Sequence, residues 1–316
     1  MRWILSLPLA SEKSTSFLFY GKILDMPELP EVQTIVDDLK KKVVGKTIVD
    51  FWSDYKKAVR PSFVGFKRGV KNKKIIGVER RGKHLILNLE HACRQAGGGY
   101  SIVIHLKMIG HLLFKPKKLS NRVTQFFDER VNGYIHHIIY FKGGGSLAMS
   151  DMRKFAWLAL VKTKDVEKMK EVALLGIDAL SVDLSLKRFE TLLEKRRKSK
   201  IGVVILDQKW IAGVGNIYRS EILFEAGIAP ERVIGSLKIS ERKKLYQTMR
   251  KVLKKAVRMR GTSTVDYRDT DGKKGNFQNA LRVYGREGEK CLKCNGRIKR
   301  VKLGQRSAFV CKKCQK

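Results

Sequence analysis

The sequence predicts an α+β fold, in which an N-terminal helix and an antiparallel β-sandwich precede a helical domain and a short cysteine-bearing β-hairpin. Three observations support this prediction. The first half of the chain has short apolar segments separated by glycine and charged turns, which is typical of antiparallel strands. From about residue 165 the apolar residues recur at helical spacing instead. Four of the five cysteines then lie between Cys291 and the C-terminus.

The first predicted element is an amphipathic helix that begins within the sequence Met26-Pro-Glu-Leu-Pro-Glu. Pro30 suits the first helical turn because it has no N–H to leave unsatisfied, and Gly45 suits the end. Apolar residues follow at helical spacing: Val32, Ile35, Val36, Leu39 and Val43. On this pattern alone, Pro27 is a helix-entry proline.

The strands of the sandwich are predicted from short apolar runs. They are Ile75–Val78, His84–Leu89, Ser101–His105, Leu112–Phe114, Tyr134–Phe141, Ser146–Met149 and Phe155–Val161. Gly143-Gly-Gly145 is predicted to form a hairpin turn between two of them. The polar segment from Lys115 to Gly133 is expected to be a surface insertion without an assigned function.

Helices are predicted in the second half of the chain, over Leu186–Arg197, Asn216–Ala226 and Ser240–Arg260. Ser240 is expected to cap the last of them and Gly261 to end it. The glycine-rich and charged stretch from Gly261 to Gly275 has no periodicity, so we expect a mobile loop there.

The cysteine pairs Cys291-Leu-Lys-Cys294 and Cys311-Lys-Lys-Cys314 are separated by sixteen residues. Two such pairs can place four thiolates tetrahedrally around one Zn²⁺ and leave no open position, so the predicted site is structural. This spacing favours a metal in a reducing compartment over disulfides. Cys93 is expected to be an ordinary thiol.

The charge of the chain indicates a polyanionic partner. There are 67 Lys and Arg against 30 Asp and Glu, a formal net charge of +37. Nucleic acid is the leading candidate, although adaptation to extreme conditions or genomic bias also enriches lysine. The 43% hydrophobic content argues against a disordered polycation, and no apolar run reaches the length of a membrane span.

Together, motifs from Met26 to the C-terminus resemble the formamidopyrimidine-DNA glycosylase family of bifunctional repair enzymes. The motifs are MPELPEVQT, Arg80–His84, His105–Met108, Asp151–Phe155, Gly213–Tyr218, Asp271-Gly-Lys, Val283–Gly285 and Gln305-Arg306. The resemblance implies a catalytic β-sandwich domain at 26–164 and a helix-two-turn-helix domain at 165–284. A lesion-binding loop at 262–276 and a zinc finger at 285–316 complete the implied organisation.

The resemblance also implies a chemistry, that of a DNA glycosylase and abasic-site lyase. Pro27 matches the nucleophile that forms a Schiff base with the damaged nucleotide, and Glu28 matches the general acid/base. Lys83 lies at the position of a catalytic lysine on a strand. Arg306 matches the finger-tip arginine that holds a phosphate during the second step of β,δ-elimination.

The implied DNA contacts form a second group of residues. Met108, Arg153 and Phe155 match the residues that fill the space left by a flipped base, and Asn216 matches a contact to the DNA backbone. Lys154 and Tyr284 complete the predicted DNA-binding residues. The trio, with Leu29, favours oxidised purines such as 8-oxoguanine and formamidopyrimidines over the oxidised pyrimidines of the endonuclease VIII branch.

The implied partner is double-stranded DNA containing oxidised bases or abasic sites, bound by a monomer in the cytoplasm, on the nucleoid if the source is prokaryotic. Three alternatives stay open: an oxidised-pyrimidine glycosylase, a catalytically silent protein of the same fold that binds damaged DNA, and a basic protein associated with RNA.

Two residues depart from the family pattern. Lys154 stands where an arginine is usual, and it keeps a positive charge without bidentate geometry. Gly202 stands where the family commonly has a phosphate-binding lysine, and Lys198 or Lys200 is a candidate replacement.

Residues 1–25 are the largest departure. Inside a peptide bond the nitrogen of Pro27 has a delocalised lone pair and is not a nucleophile. We therefore expect the active protein to begin at Pro27, through initiation at Met26 and removal of that methionine.

Overall fold

The computed structural model describes residues 26–90, 99–118, 128–264 and 266–316. The N-terminal extension, Cys93 and the middle of the predicted insertion lie outside the described residues. Within those ranges the chain has the predicted α+β order: a helix, a sandwich, a helical domain and a C-terminal hairpin. No helix in the described ranges combines the length and the apolarity needed to cross a membrane.

Two β-sheets form the sandwich. The four-stranded sheet has the order β1-β7-β8-β6 and is antiparallel throughout, with β1 at Ile48–Ser53, β6 at His111–Lys115, β7 at Ile135–Phe141 and β8 at Ser146–Ser150. The five-stranded sheet has the order β2-β9-β5-β4-β3, with β2 at Val59–Arg60, β3 at Ile75–Arg81, β4 at His84–Leu89, β5 at Tyr100–His105 and β9 at Trp157–Lys162. Only the short β2 runs parallel to its neighbour within this described sheet.

The predicted strands of the sandwich are present, with ends that differ by one or two residues at most positions. The turn at Gly143-Gly-Gly145 joins β7 to β8, and all three glycines have positive φ. Helix α2 at Phe63–Val70 is not among the predicted elements. Its first turn is capped by the Ser62 hydroxyl, which accepts from the Gly65 N–H at 3.1 Å.

The helical domain contains α3 at Lys170–Ala173, α4 at Leu186–Glu194, α5 at Ile201–Val204, α6 at Asn216–Ala226 and α7 at Ile239–Arg258. The parallel pair β10 at Ile177–Asp178 and β11 at Ile211–Ala212 lies among them, and β12 at Lys299–Leu303 pairs with β13 at Arg306–Val310 in the C-terminal hairpin. Short 3₁₀ turns occur at Lys56–Ala58, Arg130–Asn132, Thr163–Lys168, Ile234–Ser236 and Phe277–Ala280.

The predicted cap of the long helix α7 is wrong. Lys238 is the N-cap residue, and its N–H donates to the carboxylate of Glu241 at 2.8 Å, so Ser240 lies inside the first turn. The predicted end is confirmed, since Gly261 follows the helix with a φ of +78°.

Helix α1, Leu29–Lys42, contributes to the hydrophobic core of the helical domain and to the core between the sheets of the sandwich. Leu29 belongs to the core of the helical domain, whereas the apolar residues that follow it belong to the core of the sandwich. The Leu29 N–H donates to the Gly213 carbonyl at 3.0 Å, and a side chain at Gly213 would lie 2.6 Å from the Leu29 Cδ1. The residues just before α1 are thereby fixed at the junction of the two domains.

The segment that follows α7 is docked where the sequence predicts a mobile loop. Arg260 donates to Asp38 on α1 at 2.6 Å and to Asp269 at 2.7 Å. The Ser263 hydroxyl donates to the Tyr267 carbonyl at 2.7 Å, and the Tyr267 side chain is buried. These contacts hold the described part of the predicted lesion-binding loop against α1.

Candidate functional site

The carboxylate of Glu28 sits on the N-terminus of helix α6. Its oxygens accept from the N–H groups of Gly215 at 2.7 Å and Ile217 at 2.9 Å, and the side chain is buried. Free N–H groups and the positive end of the helix dipole stabilise a negative charge at this position. The motif Gly213-Val-Gly-Asn therefore binds a carboxylate of the protein itself.

Glu31 is a second buried carboxylate, one helical turn further along. It accepts from the Tyr218 hydroxyl at 2.5 Å, the Thr262 N–H at 2.7 Å and the Glu28 N–H at 2.9 Å. Burial raises the pKa of Glu31 and raises that of Tyr218 well above its usual value. Sequence reasoning missed Glu31, although an acidic residue three positions after a helix N-cap is the signal of a capping interaction.

Lys83 lies in the turn that joins β3 to β4, rather than on a strand as predicted. It is 8% exposed, and Gly82 beside it has a φ of +58°. Burial lowers the pKa of the Lys83 ammonium, and the charges of Glu28 and Glu31 oppose that change. The structure thus brings Lys83 into the electrostatic neighbourhood of both buried carboxylates.

Pro27 is buried between the two domains. It lines a small cavity together with Met26, Glu31, Ile217 and four residues of the docked loop: Thr262, Thr264, Asp266 and Tyr267. The predicted nucleophile and the predicted lesion-binding loop therefore share one cavity.

The three predicted wedge residues meet on the sandwich side of the site. The Arg153 guanidinium donates to the Met108 sulfur at 3.3 Å and stacks 4.6 Å from the centre of the Phe155 ring. Phe155 is 49% exposed, which is unusual for a phenylalanine and suits a ring that contacts a partner. Asp151 shapes this loop by accepting from the N–H groups of Phe155 and Ala156, both at 2.7 Å.

A groove of about 530 Å³ runs beside the wedge. Its lining combines positive charges with aromatic rings, as expected of a surface that binds nucleic acid: Met26, Tyr55, Lys57, Ala58, Arg60, Lys107, Met108, Lys154, Phe155, Ala156 and Trp157. The Lys154 ammonium lies 5.5 Å above the Tyr55 ring, and its residue has a φ of +56°.

Asn216 and Arg306 are linked through a residue that the sequence did not single out. Arg219, on α6, donates to the Asn216 Oδ1 at 2.5 Å and to the Ser307 carbonyl at 2.7 Å. Arg306 is exposed at the start of β13, next to Ser307. No local pattern identifies Arg219, because Ser307 lies in a distant part of the chain.

Tyr284 occupies a different environment from the other predicted DNA contacts. Its side chain is 2% exposed and packs edge-on against Phe309, with ring centres 5.0 Å apart. Its N–H donates to the Glu221 carboxylate at 2.8 Å. The structure places this tyrosine in the core under the hairpin and not on an open surface.

The four C-terminal cysteines converge as the spacing predicts. Their sulfur atoms all lie within 4.8 Å of one another, with Cys291 and Cys314 at 3.8 Å and Cys294 and Cys311 at 3.4 Å. Tetrahedral Zn²⁺ with Zn–S bonds of about 2.3 Å requires sulfur separations of about 3.8 Å. The cluster fits one structural zinc ion, which fastens the hairpin to the helical core.

Family models match three parts of the chain. A model of the formamidopyrimidine-DNA glycosylase N-terminal domain matches residues 26–158, and one of the formamidopyrimidine-DNA glycosylase H2TH domain matches residues 175–268. A model of the zinc finger found in FPG and IleRS matches residues 288–316.

Similar proteins extend over nearly the whole chain. Formamidopyrimidine-DNA glycosylases of Pelotomaculum thermopropionicum and Carboxydothermus hydrogenoformans are each 36% identical over 292 residues, which are 92% of this chain and 99% and 100% of the relatives. Solved complexes of Lactococcus lactis Fpg with DNA containing an abasic site are 30% identical, with TM-scores of 0.77 and 0.78. Those alignments cover 92% of this chain and 99% of the solved chain.

Proposed function

The chain belongs to the formamidopyrimidine-DNA glycosylase family, and on that premise we propose that it excises oxidised purines from double-stranded DNA with Pro27 as the nucleophile. Family membership makes it a DNA glycosylase of base excision repair. The observation that carries the proposed mechanism is the position of Glu28. Its buried carboxylate adjoins Pro27 and is held at a helix N-terminus between the two domains.

The proposed reaction begins at the Pro27 nitrogen. As the N-terminal residue, proline has a secondary amine with a pKa near ~8, so part of it is neutral and nucleophilic at cellular pH. Removal of everything before Pro27 is therefore part of the proposal. The family match that begins at residue 26 supports this point of processing.

The nitrogen attacks C1′ of the damaged nucleotide, and the bond from C1′ to the base breaks. The base leaves with the proton that the Pro27 nitrogen gives up. The bond from C1′ to O4′ then breaks as O4′ takes a proton, and the resulting iminium between C1′ and the Pro27 nitrogen carries a permanent positive charge. That charge acidifies C2′, so loss of a C2′ proton expels the 3′ phosphate, and a second elimination expels the 5′ phosphate. The iminium is finally hydrolysed to release the enzyme.

Glu28 and Lys83 supply proton transfer and charge in this scheme. Glu28 follows Pro27 directly in the chain, so its carboxylate lies near the sugar that Pro27 attacks. There it can donate and accept protons, which is the role of a general acid/base. Lys83, whose pKa is lowered by burial, is a proton donor or a charge that orients the lesion. Arg306 holds the phosphate that leaves in the second elimination, for which a planar cation is well suited.

Met108, Arg153 and Phe155 are proposed to fill the gap in the base stack. Their mutual contacts and the exposed Phe155 ring support this role. One chain supplies every proposed group, so we propose that a monomer acts on DNA, in the cytoplasm or on the nucleoid.

Borohydride trapping tests the mechanism. Protein that starts at Met26 is incubated with duplexes containing 8-oxoguanine, an oxidised pyrimidine or an abasic site, and borohydride reduces any iminium to a stable amine. We expect a covalent adduct with the 8-oxoguanine and abasic duplexes. Protein that retains residues 1–25, in which the Pro27 nitrogen lies in a peptide bond, should form none. Glu28→Gln should form much less. A stronger adduct with the oxidised pyrimidine would favour the other glycosylase class.

The damaged-DNA-binding alternative gives a different result in the same experiment. It predicts tight, salt-sensitive binding of the lesion duplex without any adduct, even when mass spectrometry shows Pro27 as the N-terminal residue. That outcome would remove Pro27 from the mechanism.

A further inference from the structure

Arg219 is a buried cation with an unusual set of partners. Its side chain has 0% exposure, and its guanidinium donates to three oxygens, none of them a carboxylate. Burial lowers the pKa of Arg219 to about 10, so the group keeps its charge at neutral pH. Burying such a charge costs folding free energy unless hydrogen bonds or opposite charges compensate for the lost solvation.

The first partner is the side chain of Asn216, and the contact decides which way that amide faces. A guanidinium only donates hydrogen bonds, so Nη2 of Arg219, 2.5 Å away, must face Oδ1. The Nδ2 group of Asn216 is then turned to the other side, where it can donate to an acceptor outside the protein. Phosphate oxygens only accept, so this orientation is the one that binds a DNA backbone.

The second partner connects Asn216 to the zinc-bound hairpin. The same Nη2 donates to the Ser307 carbonyl at 2.7 Å, in the residue that follows Arg306. The guanidinium therefore fixes the start of β13 relative to the start of α6. Two proposed phosphate contacts, from different domains, share one point of attachment.

The third partner explains where the positive charge of this region comes from. At Gly202 a Cβ would lie 2.6 Å from the Leu303 Cδ2 and 2.7 Å from the Pro230 Cβ, so a longer side chain does not fit. Arg219 Nη1 instead faces the Gly202 carbonyl at 3.4 Å. Gly202 on α5 therefore has no cationic side chain, and Arg219 on α6 supplies a positive charge to the same region.

We propose that Arg219 is a positioning residue for DNA binding, which orients the Asn216 amide, aligns the Arg306 strand and supplies the charge beneath the phosphate site. The proposal rests on the DNA contacts proposed above for Asn216 and Arg306. It concerns binding and the second elimination, whereas Pro27 chemistry is a separate matter.

A double-mutant cycle tests the link between Arg219 and Asn216. Binding to a duplex that contains the uncleavable abasic analogue tetrahydrofuran is measured by fluorescence anisotropy for the wild type, Arg219→Met, Asn216→Ala and the double variant. We expect Arg219→Met to weaken binding by about 10- to 100-fold, the range for a hydrogen bond with a charged partner. When Asn216 is already alanine, Arg219→Met should weaken binding by at most about a third of the factor seen in the wild-type background.

Arg250→Met is the matched control. Arg250 also donates to backbone carbonyls, those of Ser181 and Leu180, and its loss removes the same charge from the chain. We expect its effect on binding to stay within about twofold, as for a charge lost away from the contact surface. Equal losses for Arg219→Met and Arg250→Met would assign the effect to net charge and overturn the proposal.

The products of abasic-site cleavage give a second readout that general destabilisation does not change. Because Ser307 adjoins Arg306, Arg219→Met should lower the ratio of δ- to β-elimination product, and Arg219→Lys should restore part of it. Circular dichroism and zinc content verify the fold of each variant. If Arg219→Met does not fold, Arg219→Lys and Arg219→Gln carry the same cycle.

Two failures are distinguishable. A wild-type protein that binds the analogue but gives no borohydride adduct contradicts the proposed mechanism and leaves the cycle interpretable. A wild-type protein that gives the adduct, combined with fully additive effects of Arg219→Met and Asn216→Ala, overturns the role of Arg219.

Discussion

The carboxylate of Glu28 accepts a hydrogen bond from the N–H of Gly215 at 2.7 Å, across the junction of the two domains. This contact requires a glycine at position 215, because the Glu28 carboxylate occupies the space that a side chain there would need. Gly215 has a φ of −125°, which any residue can adopt, but a Cβ there would lie 2.3 Å from the Glu28 Cδ. The position of the proposed acid/base therefore depends on a residue far away in the sequence.

Gly215→Ala should displace Glu28 without removing it. General acid/base catalysis contributes about 10²- to 10⁴-fold, so we expect single-turnover excision of 8-oxoguanine to fall by at least about 100-fold. Gly133→Ala is the matched control, because its new methyl group would lie 3.4 Å from the nearest atom at a φ of −82°. A Gly215→Ala enzyme with wild-type rates would show that Glu28 need not occupy the helix N-terminus.

A second prediction concerns the loop after α7. The Arg268 guanidinium donates to the Glu129 carboxylate at 2.8 Å and thereby ties the loop to the end of the surface insertion. If the loop contacts the flipped base, Arg268→Met should slow excision of 8-oxoguanine by about tenfold, which corresponds to ~1.4 kcal/mol. Cleavage of a preformed abasic site has no base to recognise and should change by less than about twofold.

Glu129→Gln is the partner variant for this test, because it weakens the same ion pair from the other side. Glu129→Gln should also slow excision of 8-oxoguanine more than cleavage of an abasic site. The double variant should excise no more slowly than Arg268→Met alone. Equal losses on both substrates would mean that the pair supports the general fold and not the recognition of the base.

The zinc site yields a third prediction. Wild-type protein should contain one zinc ion per chain, and Cys311→Ser should contain almost none, because a structural site needs all four thiolates. Cys311 also belongs to the buried core of the helical domain, so the hairpin that bears Arg306 should detach. We expect lesion-duplex binding to fall below detection by anisotropy, while Cys93→Ser keeps both zinc and binding.

The elements near this site could be predicted where the pattern is local. The sequence predicts helix α6 at Asn216–Ala226 and β4 at His84–Leu89, and the structure has both with those bounds. The four-cysteine cluster follows from spacing alone, because two C-x2-C turns determine how four thiolates can meet.

What the sequence could not supply depends on contacts between distant segments. The partners of Arg219 are Asn216, Gly202 and Ser307, and only the fold brings the last two together. The burial of Tyr284 is invisible for the same reason, since a tyrosine beside a binding motif has the same local pattern in the core and on the surface. The docked loop likewise depends on Asp38 of α1, far from the residues that it holds.

The last prediction concerns acid stability and rests on His84. This histidine is buried beside the rings of His105 and Trp157, with centres at 4.5 Å and 5.8 Å, and burial lowers its pKa from 6.5 to about 4. The Arg81 backbone and the charge of Glu171 raise that pKa, while the charges of Lys107 and Arg81 lower it, and the effect of burial is the largest. The folded protein therefore keeps His84 neutral over a pH range in which the unfolded chain protonates it.

The sign of the pH effect follows from this difference. Between about pH 6.5 and pH 4 the unfolded state binds the extra proton, so the free energy of unfolding falls as the pH falls, by about 1.4 kcal/mol per pH unit. Well above pH 6.5 neither state is protonated, and His84 makes no pH-dependent contribution there. His84→Phe keeps an aromatic ring in the core but cannot be protonated. It should therefore remove the part of the pH dependence of the unfolding free energy that His84 contributes.

Urea unfolding at about pH 7 and about pH 5 measures the effect. We expect the loss of unfolding free energy between these two conditions to be smaller in His84→Phe than in the wild type by about 2 kcal/mol. His137→Phe is the companion variant, because burial also lowers the pKa of His137 to about 4. Identical slopes for the wild type and His84→Phe would mean that the folded state protonates His84 as readily as the unfolded chain does, which would contradict the prediction.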